Sequence, residues 1–376
     1  MPMKSERIVP PLDLAREYRL IASEVRERVE RVLASGNYVL SREVREFEER
    51  FAAWNDVPYG VGVSSGSEAL YLVLKAFGIG PGDEVITVSW TFVATVAAIL
   101  RTGARPVLVD VEKDTYVMDA AQAERAITPR TRAILAVHLY GQPCDMDALS
   151  RMAKPRHLRL IEDCAQAHGA EWNGRKAGSW GDAGCFSFYP TKNLGAAGDG
   201  GAIVVREAAL AERLKQLRQH GAGRKYFYTE EFGVNARLDE LQAAILNAKL
   251  KYLDDWNSLR RKAAAFYAAE LAPLQEAVRL PWERPGAKHV YHLYTIGTAA
   301  RDRLESFLKD HGILASINYP LPVHQQDAYK KLGLPQRPLP ETDGIAREVL
   351  SLPLFPLIER DEQAYVVEKM KAFFKL

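Results

Sequence analysis

The spacing of apolar positions changes from one part of the chain to the next. Over residues 14–33 they recur every three or four positions, which predicts an amphipathic helix with a charged outer face. Gly36-Asn37 follows as a helix stop, and a second helix with Val44, Phe47 and Phe51 on its apolar face is predicted after it. Either the protein's own core or a partner subunit could lie against these two helices.

The body of the chain alternates between short apolar runs and helical stretches. The runs predicted to be strands are 59–63, 84–88, 106–109, 133–137, 158–161, 184–188 and 202–205. Helices predicted between them include 69–77, 92–100 and 146–153. This alternation predicts an α/β fold with a mostly parallel sheet of about seven strands, covered on both faces. Ligands bind such sheets at the carboxyl ends of the strands.

The C-terminal part of the chain has a different pattern. A long helix is predicted over about 236–271, followed by a segment richer in proline. We then expect strands near 291–297 and 313–318, and helices near 303–311, 344–350 and 361–374. The predicted elements therefore suggest that a small α+β unit closes the chain.

Length and composition limit the alternatives. A chain of 376 residues exceeds the size at which single cores stop growing, so we expect a large domain at 1–255 and a small one at 256–376. The net charge of +2, from 50 basic and 48 acidic residues, argues against nucleic acid or an anionic membrane as the main partner. The 3 cysteines lack metal-site spacing and suggest reduced, buried thiols in the cytoplasm, with no metal. Neither a leader nor a membrane-spanning run is expected.

The candidate chemistry lies in residues 160–205. Asp163 ends an apolar run in LIEDCAQAHGA, and Lys192 follows the next run in FSFYPTKNLGAAGDGGA. This arrangement resembles an enzyme that holds pyridoxal phosphate, in which a carboxylate keeps the pyridine nitrogen protonated and a lysine forms a Schiff base with the aldehyde. A helix-capping Asp and a solvated Lys are the alternatives. His138 and His168 also lie at strand ends, where we expect structural roles.

The segment 181–201, with its S-F-x-P-x-K-N-L-G pattern, resembles the signature of the DegT/DnrJ/EryC1/StrS sugar aminotransferases, a branch of the fold-type I pyridoxal phosphate enzymes. The resemblance covers nearly the full chain. It implies a homodimer that moves an amino group from an amino acid, most often L-glutamate, to a nucleotide-linked keto sugar. The motifs HLYGQP and IEDCAQAHGAEW look most like the 3-keto-sugar branch, and the 4-keto branch stays open. A keto-cyclitol or amino-acid substrate, or a non-catalytic regulatory role, are the alternatives.

The resemblance also implies a phosphate site. The turn 64–68 leaves a predicted strand and opens a helix, where backbone N–H groups and the helix dipole favour an anion. By itself this turn is more typical of a serine helix cap. In this family the matching turn holds the cofactor phosphate, which implies Gly66 and Ser67 as ligands, with a hydroxyl from Ser187.

Further residues are implied to contact the cofactor ring. Phe92 matches the aromatic residue that lies over the pyridine ring, although Trp90 is close in sequence. Gln166 matches the residue near the phenolic oxygen, and Asp163 the partner of the pyridinium nitrogen. Lys192 matches the Schiff-base lysine, whose released amine then acts as the base. A lysine here favours transamination, because a dehydrating offshoot of the family carries histidine.

The remaining implied contacts involve loops. Asn235 matches a residue that reaches the cofactor phosphate of the neighbouring subunit, which implies shared active sites; a helix cap is the alternative. Arg224 and Lys225 could hold a nucleotide diphosphate, or could form a solvated turn. Tyr319 and His324 lie in a loop that matches the family's HYPxPxH substrate loop except at its first position.

Overall fold

The structure, a computed structural model, describes residues 7–224, 226–228 and 232–375. Its α-helices are α1 Leu14–Ser35, α2 Arg42–Trp54, α3 Gly66–Ala76, α4 Val93–Arg101, α5 Ala120–Arg125, α6 Met146–Ala153, α7 Ala208–Leu217, α8 Glu240–Leu250, α9 Leu253–Leu271, α10 Arg301–Asp310, α11 Asp327–Lys330, α12 Pro340–Glu348 and α13 Arg360–Phe374. Its strands are β1 Tyr59–Val63, β2 Glu84–Val88, β3 Arg105–Val109, β4 Thr131–Val137, β5 Arg159–Asp163, β6 Glu171–Trp172, β7 Arg175–Lys176, β8 Ala183–Ser187, β9 Gly201–Val205, β10 Ala222–Arg224, β11 Phe227–Tyr228, β12 Ala287–Lys288, β13 Tyr294–Gly297 and β14 Val349–Leu352.

Seven strands form the central sheet, in the order β1-β9-β8-β5-β4-β2-β3. β9 runs antiparallel to both of its neighbours, whereas the pairs β2–β3, β2–β4, β4–β5 and β5–β8 are parallel. All residues of β2 and β9 are buried, as expected for strands covered on both faces. The predicted mostly parallel α/β sheet is confirmed.

Local sequence signals explain where several helices begin and end. The Asp13 carboxylate accepts a hydrogen bond from the Arg16 N–H (2.9 Å) at the start of α1, and Asp145 does the same for Ala148 in α6 (2.9 Å). α1 ends at Gly36, whose φ of 67° is the left-handed conformation that glycine adopts without strain. The predicted helix stop is therefore confirmed.

The register of the sheet places the candidate catalytic residues together. Asp163 is the last residue of β5 and pairs with Val137 of β4 and Cys185 of β8. Ser187 is the last residue of β8, and the chain then enters the loop that carries Lys192. Because β4, β5 and β8 are parallel, their carboxyl ends meet at one edge of the sheet.

The prediction of one long helix over 236–271 is wrong, because two helices, α8 and α9, occupy this part of the chain. Residues before Glu240 are extended, since Arg237 forms a bridge with Val63 and Asp239 with Val39. A turn then separates α8 from α9, and the Tyr252 N–H donates to the carbonyl of Lys249 (2.9 Å). The apolar spacing continues across this turn, so periodicity alone could not reveal it.

Three further predictions in the C-terminal part need correction. Residues 313–318 form only single bridges, Ile313 with Val9 and Ser316 with Ser351, because two different segments lie beside them. The helix predicted over 344–350 ends at Glu348, and the following residues form β14, antiparallel to β13. The strand predicted over 291–297 is shorter, beginning at Tyr294.

A separate hydrophobic cluster packs α9, α10, α13, β13 and β14 together with Val9. Its location is consistent with a small C-terminal unit, but the division of the chain at residue 256 stays a prediction. Among the described residues, no helix is both long and apolar enough to cross a bilayer.

Candidate active site

A cavity of about 640 Å³ lies at the carboxyl ends of the central strands. It is bordered by the turn after β1, the start of α4, the ends of β4 and β5, and the loop after β8. The predicted site residues that line it are Gly66, Ser67, Phe92, Asp163, Gln166, Ser187, Lys192 and Tyr319. The fold thus brings together residues that are up to 253 positions apart, from Gly66 to Tyr319.

Asp163 is held in one orientation by two hydrogen bonds. Its Oδ2 accepts from the Thr95 hydroxyl (2.8 Å), and its Oδ1 accepts from the Ala165 N–H (3.1 Å). Burial raises the pKa of Asp163, while these two hydrogen bonds and the positive charge of Lys192 lower it. A cationic group placed against this carboxylate would favour its ionised form, as a pyridinium nitrogen would.

Lys192 lies on the loop after β8 and lines the cavity. Burial lowers its pKa from the usual 10.5 to about 8, and the charge of Asp163 opposes this shift. The amine is therefore neutral, and nucleophilic, at a lower pH than an ordinary lysine.

The lysine loop is closed by a close approach of its two sides. A Cβ on Gly195 would lie 2.3 Å from the carbonyl oxygen of Pro190, so only glycine fits there. The Lys249 ammonium of α8 donates a hydrogen bond to the carbonyl of Gly195 (2.8 Å) and so joins the loop to this helix. Lys192 is thus carried by a constrained loop.

The turn before α3 serves as a helix cap and also faces the cavity. The Ser65 hydroxyl accepts a hydrogen bond from the Glu68 N–H (3.1 Å), which confirms the capping interpretation for this serine. Gly66 and Ser67 lie at the helix N-terminus and line the cavity beside Ser187. A Cβ on Gly66 would lie 2.7 Å from the Cβ of Ser187, so the glycine allows this close packing.

The two candidate aromatic residues occupy different environments. Trp90 is fully buried and donates its indole N–H to the hydroxyl of Tyr140 (3.1 Å). Phe92 is 54% exposed and lines the cavity, with its ring 5.9 Å from that of Tyr319. Phe92 is therefore the residue available to stack on a bound ring.

The amide of Gln166 has a defined orientation. Its Oε1 accepts from the Tyr140 main-chain N–H (2.7 Å), so its Nε2 must be the group that donates to the Tyr319 hydroxyl (3.2 Å). Burial raises the pKa of Tyr319, which keeps its hydroxyl protonated. The Gln166–Tyr319 pair offers neutral hydrogen-bonding groups to a ligand.

Comparison with known proteins agrees with this geometry. The DegT/DnrJ/EryC1/StrS aminotransferase family model matches residues 19–371. The chain belongs to this family. This aminotransferase is 46% identical over 363 residues to the dTDP-3-amino-3,4,6-trideoxy-alpha-D-glucose transaminase of Streptomyces venezuelae, covering 96% of this chain and 95% of that protein.

Two further similarities are informative. The aminotransferase is 45% identical over 368 residues to a "Pleiotropic regulatory protein" of Geobacillus stearothermophilus, covering 98% of this chain and 99% of the relative. Its structure matches that of S. venezuelae DesV in complex with a ketimine intermediate, with a TM-score of 0.95 and 46% identity over 97% of this chain and 98% of that one. The fold-type I expectation is confirmed.

Several predicted contacts of the aminotransferase lie away from the cavity. Asn235 is exposed and forms a bridge with Gln219. Arg224 is exposed on β10, with its guanidinium 3.7 Å from the ring centroid of Phe227. Lys225 lies outside the described residues. These placements leave the roles of the three residues as predictions.

The structure does not bring His324 to the cavity. Its Nδ1 is 2.7 Å from the Ser89 hydroxyl and its Nε2 is 3.1 Å from an Asp343 carboxylate oxygen. The side chain is buried beside a second, smaller cavity of about 200 Å³. Both ring nitrogens are thus used within the protein, and His324 joins its loop to the end of β2.

A buried cluster behind the site combines His138, Glu162 and Cys164, whose potential ligand atoms lie within 4.8 Å of one another. His138 accepts from the Cys144 N–H (3.0 Å), so its other nitrogen donates to Glu162 (3.0 Å). The Glu162 oxygens also accept hydrogen bonds from the main-chain N–H groups of Gly178, Trp180 and Gly181 at 2.7–2.8 Å. The hydrogen bonds already account for the cluster, which supports the structural role expected for His138.

Thr95, Arg260 and His292 are among the cavity residues to which the sequence assigned no role. Thr95 lies in the first turn of α4, where its spacing of three residues from Phe92 was a usable signal. Arg260 lies within α9, and His292 just before β13. Neither belongs to a motif that sequence alone distinguishes from ordinary helix and strand positions.

Proposed function

We propose that this chain is a pyridoxal-phosphate-dependent aminotransferase that transfers an amino group from an amino acid, with L-glutamate expected, to a nucleotide-linked keto sugar in amino-sugar biosynthesis. The proposal depends chiefly on the placement of Lys192 and Asp163 in one cavity at the strand ends. The 3-amino sugar in the name of the S. venezuelae relative favours a 3-keto over a 4-keto substrate.

The cavity residues fit the cofactor group by group. A protonated ring nitrogen would find the fixed Asp163 carboxylate, and an aldehyde would find the Lys192 amine. A phosphate would find the N-terminus of α3, at the close approach of Gly66 to Ser187. When bound, pyridoxal phosphate supplies an electron-withdrawing ring for the carbon that gains or loses nitrogen.

Each protein group then has a defined task. Asp163, whose orientation Thr95 fixes, would keep a proton on the ring nitrogen. Lys192 would hold the aldehyde as a Schiff base, and its amine, once released by the donor, would serve as the base for a proton at the substrate carbon. Phe92 would stack on the ring face, and Gln166 would offer its amide to the phenolic oxygen; both line the cavity. The donor product leaves before the keto sugar binds, which gives a ping-pong cycle.

We further propose a homodimer with shared active sites, in which Asn235 reaches the cofactor phosphate of the partner. Its exposure in the single chain supports this role. Arg224, Lys225 and Tyr319 stay candidates for substrate contacts, whereas His324 is not carried forward because Ser89 and Asp343 use its imidazole. A cytoplasmic location, with no nucleic acid, membrane or metal partner, also stays a prediction.

The regulatory name of the G. stearothermophilus relative applies to that protein. A purely regulatory role would give no reason for a lysine of lowered pKa and a buried carboxylate in one cavity. A keto-cyclitol or amino-acid substrate is consistent with the same lysine and carboxylate, and the test below distinguishes it.

The test is covalent trapping. The purified protein, loaded with pyridoxal phosphate, is reduced with borohydride, digested and mapped; the label is expected on Lys192. L-Glutamate should bleach the visible absorbance of the lysine-bound cofactor, and a nucleotide-linked 3-keto sugar should restore it. Lys192→Ala should show neither change. A label on another residue, or no label, would refute the proposal; restoration only by a keto-cyclitol or a 2-oxo acid would change the substrate class.

A further inference from the structure

Arg260 is a buried cation without a carboxylate partner. It is 3% exposed and lines the cavity, yet its Nη1 donates only to the main-chain carbonyls of Tyr291 (3.3 Å), His292 (3.4 Å) and Leu354 (3.2 Å). Its Nε has no partner, and among the described residues its Nη2 forms no hydrogen bond or salt bridge. Burying such a charge is unfavourable unless an anion compensates it.

The acids near this part of the cavity lie closer to other cations or to solvent than to Arg260. Glu17 is the acid that attracts Arg260, and it is shared with Lys249. Asp163 attracts Lys192. Asp199 also lines the cavity but is exposed, so among the described residues no buried carboxylate of the cavity wall contacts Arg260, which suits this part of the wall to an anionic ligand.

His292 contributes a hydrogen-bond acceptor to the same wall. The Asn257 amide donates to the His168 carbonyl (2.8 Å), so its oxygen accepts from Asn193 (2.9 Å). Asn193 also donates to the Val290 carbonyl (3.3 Å), so its oxygen faces His292 Nδ1 (3.0 Å). Nδ1 must therefore carry the proton, which leaves Nε2 as a lone-pair acceptor.

Nε2 of His292 has no hydrogen-bond partner among the described residues, and His292 lines the cavity. Burial and the neighbouring charges of Lys192 and Arg260 lower the pKa of His292, so the imidazole is neutral. The wall thus presents an unpaired cationic donor beside a neutral acceptor, and an α-amino acid carries the complementary pair, a carboxylate and an ammonium.

We propose that Arg260 and His292 form the subsite for the amino-acid donor: Arg260 binds a donor carboxylate, and Nε2 of His292 accepts a hydrogen bond from the donor ammonium. This inference is based on the proposed function, because it assigns the donor end of the same cavity. It also places the donor nitrogen in the same cavity as Lys192, which both His292 and Lys192 line.

The alternative is that Arg260 only joins the segments that contain Tyr291 and Leu354. Ligand binding to the holoenzyme distinguishes the donor subsite from this structural role. The lysine–cofactor bond is first reduced with borohydride, so that the ligand binds but cannot react. Isothermal titration calorimetry with L-glutamate and with glutarate, which lacks the ammonium, tests each contact. Arg260→Gln should weaken both ligands about tenfold or more, the effect of losing a charge-assisted hydrogen bond. His292→Phe should weaken L-glutamate about tenfold and leave glutarate within about twofold.

Arg261→Gln is the matched control, because Arg261 is the next residue of α9 but pairs with Glu283 (2.6 Å); it should bind both ligands like the wild type. The inference is overturned if Arg260→Gln binds both ligands normally. It is also overturned if Arg260→Gln loses as much affinity for dTDP-glucose, a nucleotide-linked sugar that probes the acceptor end of the cavity, as it loses for L-glutamate. If Arg260→Gln does not fold, the difference between L-glutamate and glutarate in His292→Phe decides. Should the wild type carry no label on Lys192, the proposed function itself fails.

Discussion

Asp163 and Lys192 influence each other's charge across the cavity. Burial disfavours both ions: it raises the pKa of the carboxyl group and lowers that of the amine to about 8, and each charge partly offsets the shift of the other. Removing the charge of one residue should therefore shift the pKa of the other: the pKa of Asp163 rises without Lys192, and the pKa of Lys192 falls without Asp163.

We predict that Asp163→Asn acts on both the cofactor and Lys192. Loss of an adjacent opposite charge moves a pKa by about 1–3 units, so turnover should fall about 10- to 1,000-fold as the ring nitrogen loses its proton. In the wild-type apoenzyme, uptake of pyridoxal phosphate should accelerate as pH rises through about 8, where Lys192 loses its proton. In Asp163→Asn this midpoint should lie at lower pH, because the charge that raises the lysine pKa is gone. Stopped-flow absorbance measures the midpoint, and an unchanged or higher value contradicts the coupling.

Thr95 offers a finer test of the same carboxylate. Its hydroxyl donates to Asp163 and lies 2.8 Å from the Thr91 hydroxyl, which must therefore donate to Thr95. Thr95→Val should lower kcat about 10- to 100-fold, because a hydrogen bond to a charged group is lost. Thr91→Val removes only a bond between neutral groups and should cost less. Steady-state kinetics at saturating substrates compares the two, and equal effects would count against a role in orienting Asp163.

The residues that sequence could identify are those whose role depends on local context. Lys192 and Asp163 stand in a continuous motif at strand ends, and Phe92 was distinguishable from Trp90 by its neighbours. His324 was not predictable, because its hydrogen-bond partner Ser89 lies 235 residues away in the chain. Contacts of such long range are set by the fold as a whole.

At the level of elements, the central strands were predicted within two residues at each end, because buried strands carry continuous apolar runs. The wrong predictions occurred where the spacing of apolar residues does not indicate a change in backbone conformation. The turn at Tyr252 keeps helical spacing because this residue stacks on Trp256, with ring centroids 5.8 Å apart. Val349 begins a strand that follows α12 without a glycine or proline to mark the change.

The junction of α3 and β8 can be tested through Gly66. A Cβ there would lie 2.7 Å from the Ser187 Cβ, so Gly66→Ala must displace the turn or the strand end. Overpacking of this kind costs about 1–3 kcal/mol of unfolding free energy, and cofactor affinity should fall because the turn moves. Gly344→Ala is the control: it lies within α12, where an added Cβ would meet no neighbouring atom within 4 Å, and it should stabilise the protein slightly. Urea unfolding and pyridoxal phosphate titration measure both; tight cofactor binding by Gly66→Ala would exclude this turn as the phosphate site.

On the scale of the whole molecule, the two ends of the chain are joined around the site. Arg16 of α1 forms two hydrogen bonds with Glu362 of α13, at 2.9 and 3.0 Å, and Val9 packs in the C-terminal hydrophobic cluster. Pro11 and Leu12 between them line the cavity. The segment before α1 thus contributes to the candidate active site, whereas for α1 and α2 the sequence alone left open whether they cover the core or a partner.

Sharing of active sites between subunits is testable by mixing inactive variants. If Asn235 serves the partner's site, a mixed dimer of Lys192→Ala and Asn235→Ala contains one site with both native residues and one site with neither. Random reassortment makes half of the dimers mixed, so activity should recover to about a quarter of the wild-type value, as two-fold symmetry requires. Mixing Lys192→Ala with Asp163→Asn is the matched control: both residues belong to the same chain's cavity, so one mutation falls in each site and activity should stay low. Equal recovery in the two mixtures, or none in the first, would show that Asn235 does not complete the neighbouring site.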